Sequence, residues 1–143
     1  MNWEVLVGGT ATSLIAVFLV EVVLRPIVHR WQMRGTTGTY LIHSIDGTPI
    51  RNAAGKSNYA KLMTKGWFKP RIVIEAFDYD TKQAWEATAN FDELGFHGYG
   101  FYRYGNQEDA GAIELHALSD GKWACRTYAY HTNVYSVLHW YKQ

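Results

Sequence analysis

Residues 5–28 read VLVGGTATSLIAVFLVEVVLRPIV, an almost uninterrupted apolar run that sets the organisation of the whole chain. A helix rises about 1.5 Å per residue, so roughly 20 apolar residues cross the hydrocarbon core of a bilayer. Trp3 and Trp31 lie just outside the two ends, where aromatic residues commonly mark the membrane interface. Glu21 is the one charge within positions 5–24. The run predicts a transmembrane helix.

The residues that flank this run predict a retained anchor and its orientation. A signal peptide has a positive n-region, whereas here Glu4 precedes the run and Arg25, Arg30 and Arg34 follow it. Cations near the end of a span resist translocation, which places the following residues in the cytoplasm. The single cysteine, Cys125, agrees with that compartment. We therefore expect a single-pass protein of the inner (cell) membrane with a cytoplasmic C-terminal domain.

Residues 1–34 form the anchor and its basic flank in this interpretation, and residues 35–143 form one small domain. The chain has 10 Tyr, 6 Trp and 6 Phe, which favours strands, and its net charge of +1 argues against a nucleic-acid polymer as partner. Turn signals recur every 8 to 14 residues or so, the spacing of an antiparallel meander. About eight such strands close most economically into an up-and-down β-barrel. They are predicted near 38–45, 59–65, 68–77, 84–91, 97–104, 111–118, 123–131 and 134–141.

The late strands carry aromatic side chains on both of their faces, which indicates a cavity for a polar aromatic ligand. Tyrosine and tryptophan rings could stack on such a ligand, and arginine could hold its phosphates with a forked pair of donors. The competing interpretation is that Tyr and Arg simply cover half-exposed strands. The candidate ligand residues are Arg71, Tyr102, Arg103, Tyr104, Arg126, Tyr128, Tyr130 and Trp140.

A family resemblance rests on three segments of the predicted barrel that follow the membrane helix. They are Gly-Tyr-Gly-Phe-Tyr-Arg-Tyr at 98–104, Gly-Ala-Ile-Glu-Leu at 111–115 and Trp-Tyr-Lys at 140–142. In this layout the chain resembles the transmembrane β-barrel effectors of bacterial anti-phage signalling, the CBASS effectors and related two-transmembrane-β proteins. The resemblance implies that the barrel binds a cyclic di- or oligonucleotide and that the helices assemble to disrupt the inner membrane. Those effectors usually have two membrane helices, whereas this sequence predicts one.

The remaining motifs do not predict an enzyme, a cofactor or a metal site. The segment Gly55-Lys56-Ser57 lacks the upstream glycine of a phosphate-binding loop, and the sequence has no HExxH or CxxC pattern. The glycines at 98 and 100 indicate a strand that another backbone approaches closely. The six histidines are scattered without metal-ligand spacing.

The membrane helix carries a small and polar arc that predicts contact with another helix, and hence a homo-oligomer. Gly9, Ser13 and Ala16 recur at helical spacing, and Glu21 lies on an adjoining strip. Glu21 could equally pair with Arg25 at i+4. The alternative function is a membrane-tethered, lipocalin-like carrier or scaffold of small ligands without toxic activity.

Overall fold

A computed structural model describes residues 12–67, 71–79, 82–92, 95–105, 109–119 and 121–143 of the chain. The described part begins with one continuous helix, α1 (Thr12–Gly35), which is long and apolar enough to span a membrane and is 6% buried over its most apolar window. Within α1, Leu19–Leu24 has π-helical geometry, Arg25–Gln32 is α-helical and Met33–Gly35 is a 3-10 turn. The predicted N-terminal apolar helix is confirmed over its described part, and residues 5–11 of the predicted span lie outside the described residues.

Eight strands follow α1 and close into a barrel in which each strand pairs antiparallel with its sequence neighbours. The β1–β8 pairing closes the ring and removes the exposed sheet edges. The predicted eight-stranded up-and-down barrel is therefore confirmed. The strands are β1 (Gly38–His43), β2 (Tyr59–Lys65), β3 (Arg71–Asp78), β4 (Gln83–Phe91), β5 (His97–Tyr104), β6 (Ala110–Ser119), β7 (Lys122–Ala129) and β8 (Tyr135–Lys142).

Side chains alternate between the barrel interior and its outer wall, as period-2 strands require. On β3, for example, Ile72 and Ile74 are fully buried whereas Arg71 and Glu75 are exposed. Aromatic side chains fill much of the interior: the ring centroids of Trp85 and Trp140 lie 6.1 Å apart, and those of Phe91 and Trp123 lie 5.6 Å apart with edge-to-face geometry. The interior is thus packed like the core of a small domain.

The end of α1 closes one end of the barrel, which we call the helix-proximal end; the opposite end is the distal end. Met33 is fully buried and belongs to the same apolar cluster as the barrel interior. The Tyr40 hydroxyl donates to the carbonyl of Thr36 at 2.7 Å, and Lys142 Nζ donates to the carbonyl of Gly35 at 2.7 Å. Two residues separate α1 from β1, so the helix and the barrel are joined stiffly.

The β2–β3 hairpin supports α1 near Pro26, where the helix lacks a backbone donor. Proline has no N–H to offer the carbonyl of Val22 at i−4. The indole Nε1 of Trp67 donates to that carbonyl at 3.3 Å. One helical turn after Pro26, Arg30 Nη1 donates to the carbonyl of Gly66 at 3.0 Å. The Arg30 guanidinium also lies 5.5 Å from the centroid of the Trp67 ring.

Candidate functional site

The closed barrel divides the eight predicted ligand residues between its interior and its outer wall. Trp140 is fully buried and packs against Trp85, so it is a core residue. Tyr102, 8% exposed, points inward from β5. Tyr104 also points inward and lines a cavity at the distal end. Tyr104 also lines a small pocket of about 150 Å³ together with Arg103, whereas the distal cavity that holds Tyr102 and Tyr104 has no arginine among its described lining residues.

The other five predicted residues lie on the outer wall, and two of them come together there. Arg126 and Tyr128, both on β7, line one open groove. Tyr130 follows, with its ring centroid 6.1 Å from that of Tyr128. Arg103 lies on β5 outside this groove, beside Glu86 in the register of β4. Arg71 lies at the helix-proximal end of β3.

The groove that holds Arg126 and Tyr128 crosses the outer wall of β5, β6 and β7, and we call it the outer-wall groove. Its volume is about 410 Å³. Several of its aromatic side chains are well exposed: Tyr99 by 64%, Phe101 by 68% and Tyr135 by 59%. Its lining is Asn90, His97, Tyr99, Gly100, Phe101, Ala112, Ile113, Glu114, Arg126, Thr127, Tyr128 and Tyr135.

The strand register builds a slot between two aromatic side chains of this groove. Phe101 is paired with Ala112, and Ala112 is paired with Tyr128, so a small side chain lies between two large ones. Two inter-strand steps of about 4.8 Å place the flanking backbones roughly 9.6 Å apart. A planar ring stacked on both sides needs roughly 7 to 8 Å, because carbon atoms meet at 3.5 to 4.0 Å. The strands that flank Ala112 are therefore far enough apart for one planar ring to lie between the side chains of Phe101 and Tyr128.

A hydrogen bond to the β7–β8 turn fixes one wall of the slot. The Tyr128 hydroxyl donates to Asn133 Oδ1 at 2.7 Å. Asn133 itself has a φ of 55°, a left-handed conformation that Asn adopts more readily than most residues. The ring is therefore held before any ligand arrives, which reduces the entropy lost on stacking.

One row nearer the helix-proximal end, three ionisable side chains form a network at the end of the slot. Glu114 Oε1 lies 2.8 Å from His97 Nε2, and Glu114 Oε2 accepts from Arg126 Nη1 at 3.4 Å. The hydrogen bond from His97, followed by that from Arg126, lowers the pKa of Glu114 against the opposing effect of partial burial. A guanidinium has five N–H donors. The long contact with Glu114 uses one donor of Arg126, so others remain to meet an anionic ligand.

The distal end of the barrel holds a second cavity, of about 210 Å³. Asp78, Tyr102 and Tyr104 are among the residues that line it. Burial, together with the negative charges of Asp78 and Asp109, raises the pKa of Tyr104 to about 12. An acidic wall and neutral phenols disfavour a phosphate in this cavity.

The helix residues predicted to face another helix lie on an exposed surface where they are described. Ser13 and Ala16 are exposed, and Gly9 lies outside the described residues. Glu21 Oε2 lies 2.7 Å from Arg25 Nη1, so the i+4 pairing is formed. This ion pair lowers the cost of placing Glu21 near the end of an apolar span.

Sequence reasoning did not single out Tyr99, Phe101, Tyr135 or the His97–Glu114 pair. The sequence feature that could have identified Tyr99 and Phe101 is their alternation with glycines along β5, which places both rings on the outward face of the strand. Among the described residues, no group of three or more His, Cys, Asp or Glu side chains is placed to hold a metal ion.

Comparison of the chain with models of protein families, with curated proteins and with solved structures gave no match. Function is therefore inferred from the geometry of the grooves and of the helix–barrel joint.

Proposed function

We propose that this chain is a membrane effector whose barrel binds a cyclic oligonucleotide, as the resemblance to anti-phage effectors implies, and that the binding site is the outer-wall groove. The position of the exposed Phe101 and Tyr128 on either side of the small Ala112 is the observation that carries the proposal, because the spacing of their strands leaves room for one nucleobase. Arg126, at the end of that slot, supplies a forked cation for a phosphate. Ligand binding then controls self-association, and the assembled helices disrupt the inner membrane.

The energies of these contacts reach measurable affinity only when they act together. Stacking contributes about 1 to 3 kcal/mol per base. A hydrogen bond to a charged group contributes about 1.5 to 3 kcal/mol. Because association costs at least about 4 kcal/mol, one base and one phosphate alone give weak binding. A cyclic ligand, whose shape is already constrained, loses less entropy than a linear one.

The alternative function, a lipocalin-like carrier, receives less support from the barrel interior. Small-ligand sites commonly occupy about 300 to 1,000 Å³ and are mostly apolar. The distal cavity measures about 210 Å³ and includes Asp78 in its wall. Trp85, Trp140 and Phe91 occupy the space that a carrier would leave for its cargo.

The stiff joint between helix and barrel supports a function in which the barrel controls the membrane helix. Contacts at Gly35, Thr36 and Trp67 tie α1 to the barrel at separate points. A change in how barrels associate therefore changes how their helices associate. The arc that includes Ser13 and Ala16 is exposed to meet a second helix, and a barrel on the cytoplasmic side has access to a soluble nucleotide.

Calorimetric titration of the full chain in detergent with a panel of cyclic di- and trinucleotides tests the ligand. We expect saturable binding that weakens about tenfold in Phe101→Ala, since one stacking partner is lost. The matched control is Phe96→Ala, because Phe96 is similarly exposed, by 59%, but lies outside the groove. Arg126→Gln should weaken binding, whereas Arg103→Gln should not.

Absence of binding across the panel would reject the ligand. Binding that is unchanged in Phe101→Ala but lost in Tyr104→Phe would move the site to the distal cavity. The output is tested separately by growth of cells that express the full chain with and without synthesis of the bound nucleotide. Equal growth under both conditions would favour the carrier or scaffold over the effector.

A further inference from the structure

A second groove, between α1 and β2, lies where the apolar helix meets the barrel. We call it the juxtamembrane groove; its volume is about 660 Å³. Arg30, Trp31 and Arg34 line it from the helix, and Met63 and Trp67 line it from the hairpin side. It is separate from the outer-wall groove and does not depend on the ligand proposed there.

The cations of the juxtamembrane groove lie among described residues that include no carboxylate. Arg30 and Arg34 lie one helical turn apart, and the described lining of the groove contains no Asp or Glu. The Arg30 guanidinium is positioned by the Gly66 carbonyl and the Trp67 ring. Arg34 has no ion pair with a described residue, and its side chain is exposed. The groove thus has one fixed cation and one that is free to adjust.

A like-charge pair extends this positive surface along the hairpin. Lys65 and Arg71 are direct cross-strand neighbours on the outer wall, and both are exposed. Like charges placed directly opposite one another destabilise an antiparallel pair. An anion bound beside them would relieve that repulsion. Arg71, predicted as a nucleotide contact, therefore belongs by position to the membrane side of the protein.

The aromatic side chains of the groove indicate which anion would be present. Trp31 is 69% exposed and Trp67 is 46% exposed, as expected of rings at a membrane interface. Ile27, in the same groove, continues the apolar surface of the candidate span. A molecule with a phosphate beside an acyl chain matches this order of cations, indoles and apolar side chains.

We propose that the juxtamembrane groove binds the headgroup of an anionic phospholipid, whose phosphate contacts Arg30 and Arg34 and whose acyl chain lies along Ile27. The positive charges of Lys65 and Arg71 add a favourable electrostatic interaction with the same headgroup. A basic residue near an anionic membrane surface contributes about 1 kcal/mol. Each cation removed should therefore weaken lipid binding about fivefold.

Native mass spectrometry of the full chain, released from micelles with equal phosphatidylglycerol and phosphatidylcholine, tests this proposal. We expect wild type to retain phosphatidylglycerol preferentially. Arg34→Gln should reduce that retention about fivefold, and the Arg34→Gln, Lys65→Gln double variant should reduce it further. Arg34→Lys should retain most of it, because the charge is kept. Arg51→Gln, an exposed arginine of the distal loops, is the matched control.

Two results would overturn the proposal. Equal loss in Arg51→Gln would show that net charge, and not the groove, selects the lipid. Full displacement by inorganic phosphate at a comparable concentration would show an anion site with no contribution from the acyl chain. Unchanged nucleotide binding by Arg34→Gln would separate this groove from the outer-wall groove, so either proposal can fail alone.

Discussion

Substitution of Gly100 by alanine should break the barrel open between β4 and β5. A Cβ added at Gly100 would lie 1.8 Å from the Thr88 carbonyl oxygen and 2.8 Å from Ala89 Cα. Relief requires a shift of more than about 1 Å in paired backbone, which removes two or three hydrogen bonds of about 1 kcal/mol each. Packing strain adds about 1 to 3 kcal/mol. The total of about 3 to 6 kcal/mol is a large share of a typical 5 to 15 kcal/mol stability.

Thermal and urea unfolding of the full chain in detergent, followed by tryptophan fluorescence, measures this effect. Each kcal/mol changes the Tm of a domain of this size by about 4 °C or more, so Gly100→Ala should unfold at least about 12 °C below wild type. Gly105→Ala is the control, because its added Cβ meets nothing nearer than 3.7 Å. A Gly100→Ala protein within about 1 kcal/mol of that control would refute the close approach of β4 and β5.

Two further predictions concern ionisation and orientation. Tyr104→Phe should reduce the loss of stability at alkaline pH. The pKa of Tyr104 is about 12 in the folded protein and ordinarily 10.0. The stability that comes from keeping this phenol protonated is therefore complete below pH 10 and is lost as pH rises towards 12. Urea unfolding at a series of pH values checks it, and an identical alkaline limb would contradict it. Ala54→Cys, in an exposed turn, should react with an impermeant maleimide only after cell lysis, because we expect the barrel in the cytoplasm. The native Cys125 adds little background, since it is fully buried and burial raises its thiol pKa. Labelling of intact cells would place the barrel outside.

The strands could be predicted because their signals are local. Alternation within 84–91 and the turn at Ser119 to Lys122 each lie within a few residues, and the structure places β4 at Gln83–Phe91 and β6 at Ala110–Ser119. The first strand ends two residues before its predicted limit. There Ser44 and Thr48 both hydrogen-bond to Asp46 and close a turn.

The ligand residues were harder to predict because the two faces of a strand look alike in this sequence. The alternation of side chains along a strand correctly placed Tyr102 and Arg103 on opposite faces of β5, and Arg126 and Cys125 on opposite faces of β7. Which face points inward depends on contacts between distant strands. Gly98 leaves room for the ring of Phe91, whose atoms lie 2.6 Å from a Cβ added at Gly98, and Gly100 allows the close approach of the β4 backbone. A set chosen for chemistry alone therefore mixed core rings with surface cations.

The two grooves lie on opposite sides of the barrel, and this constrains how a ligand could affect the membrane. The juxtamembrane groove is built on β2, whereas the outer-wall groove is centred on β6, four strands away in either direction around the closed ring. A ligand beside Ala112 therefore lies on the side of the barrel opposite to the strand that contacts the described part of α1. It lies instead on a surface that faces outward, where Phe101 and Tyr135 are more than half exposed. A cyclic di- or oligonucleotide carries two or more bases, so one base in the slot leaves another for a second barrel. In our proposal the ligand therefore acts by joining barrels of different chains. Because the joint at Met33 and Tyr40 is stiff, the arrangement of the barrels then sets the arrangement of the helices.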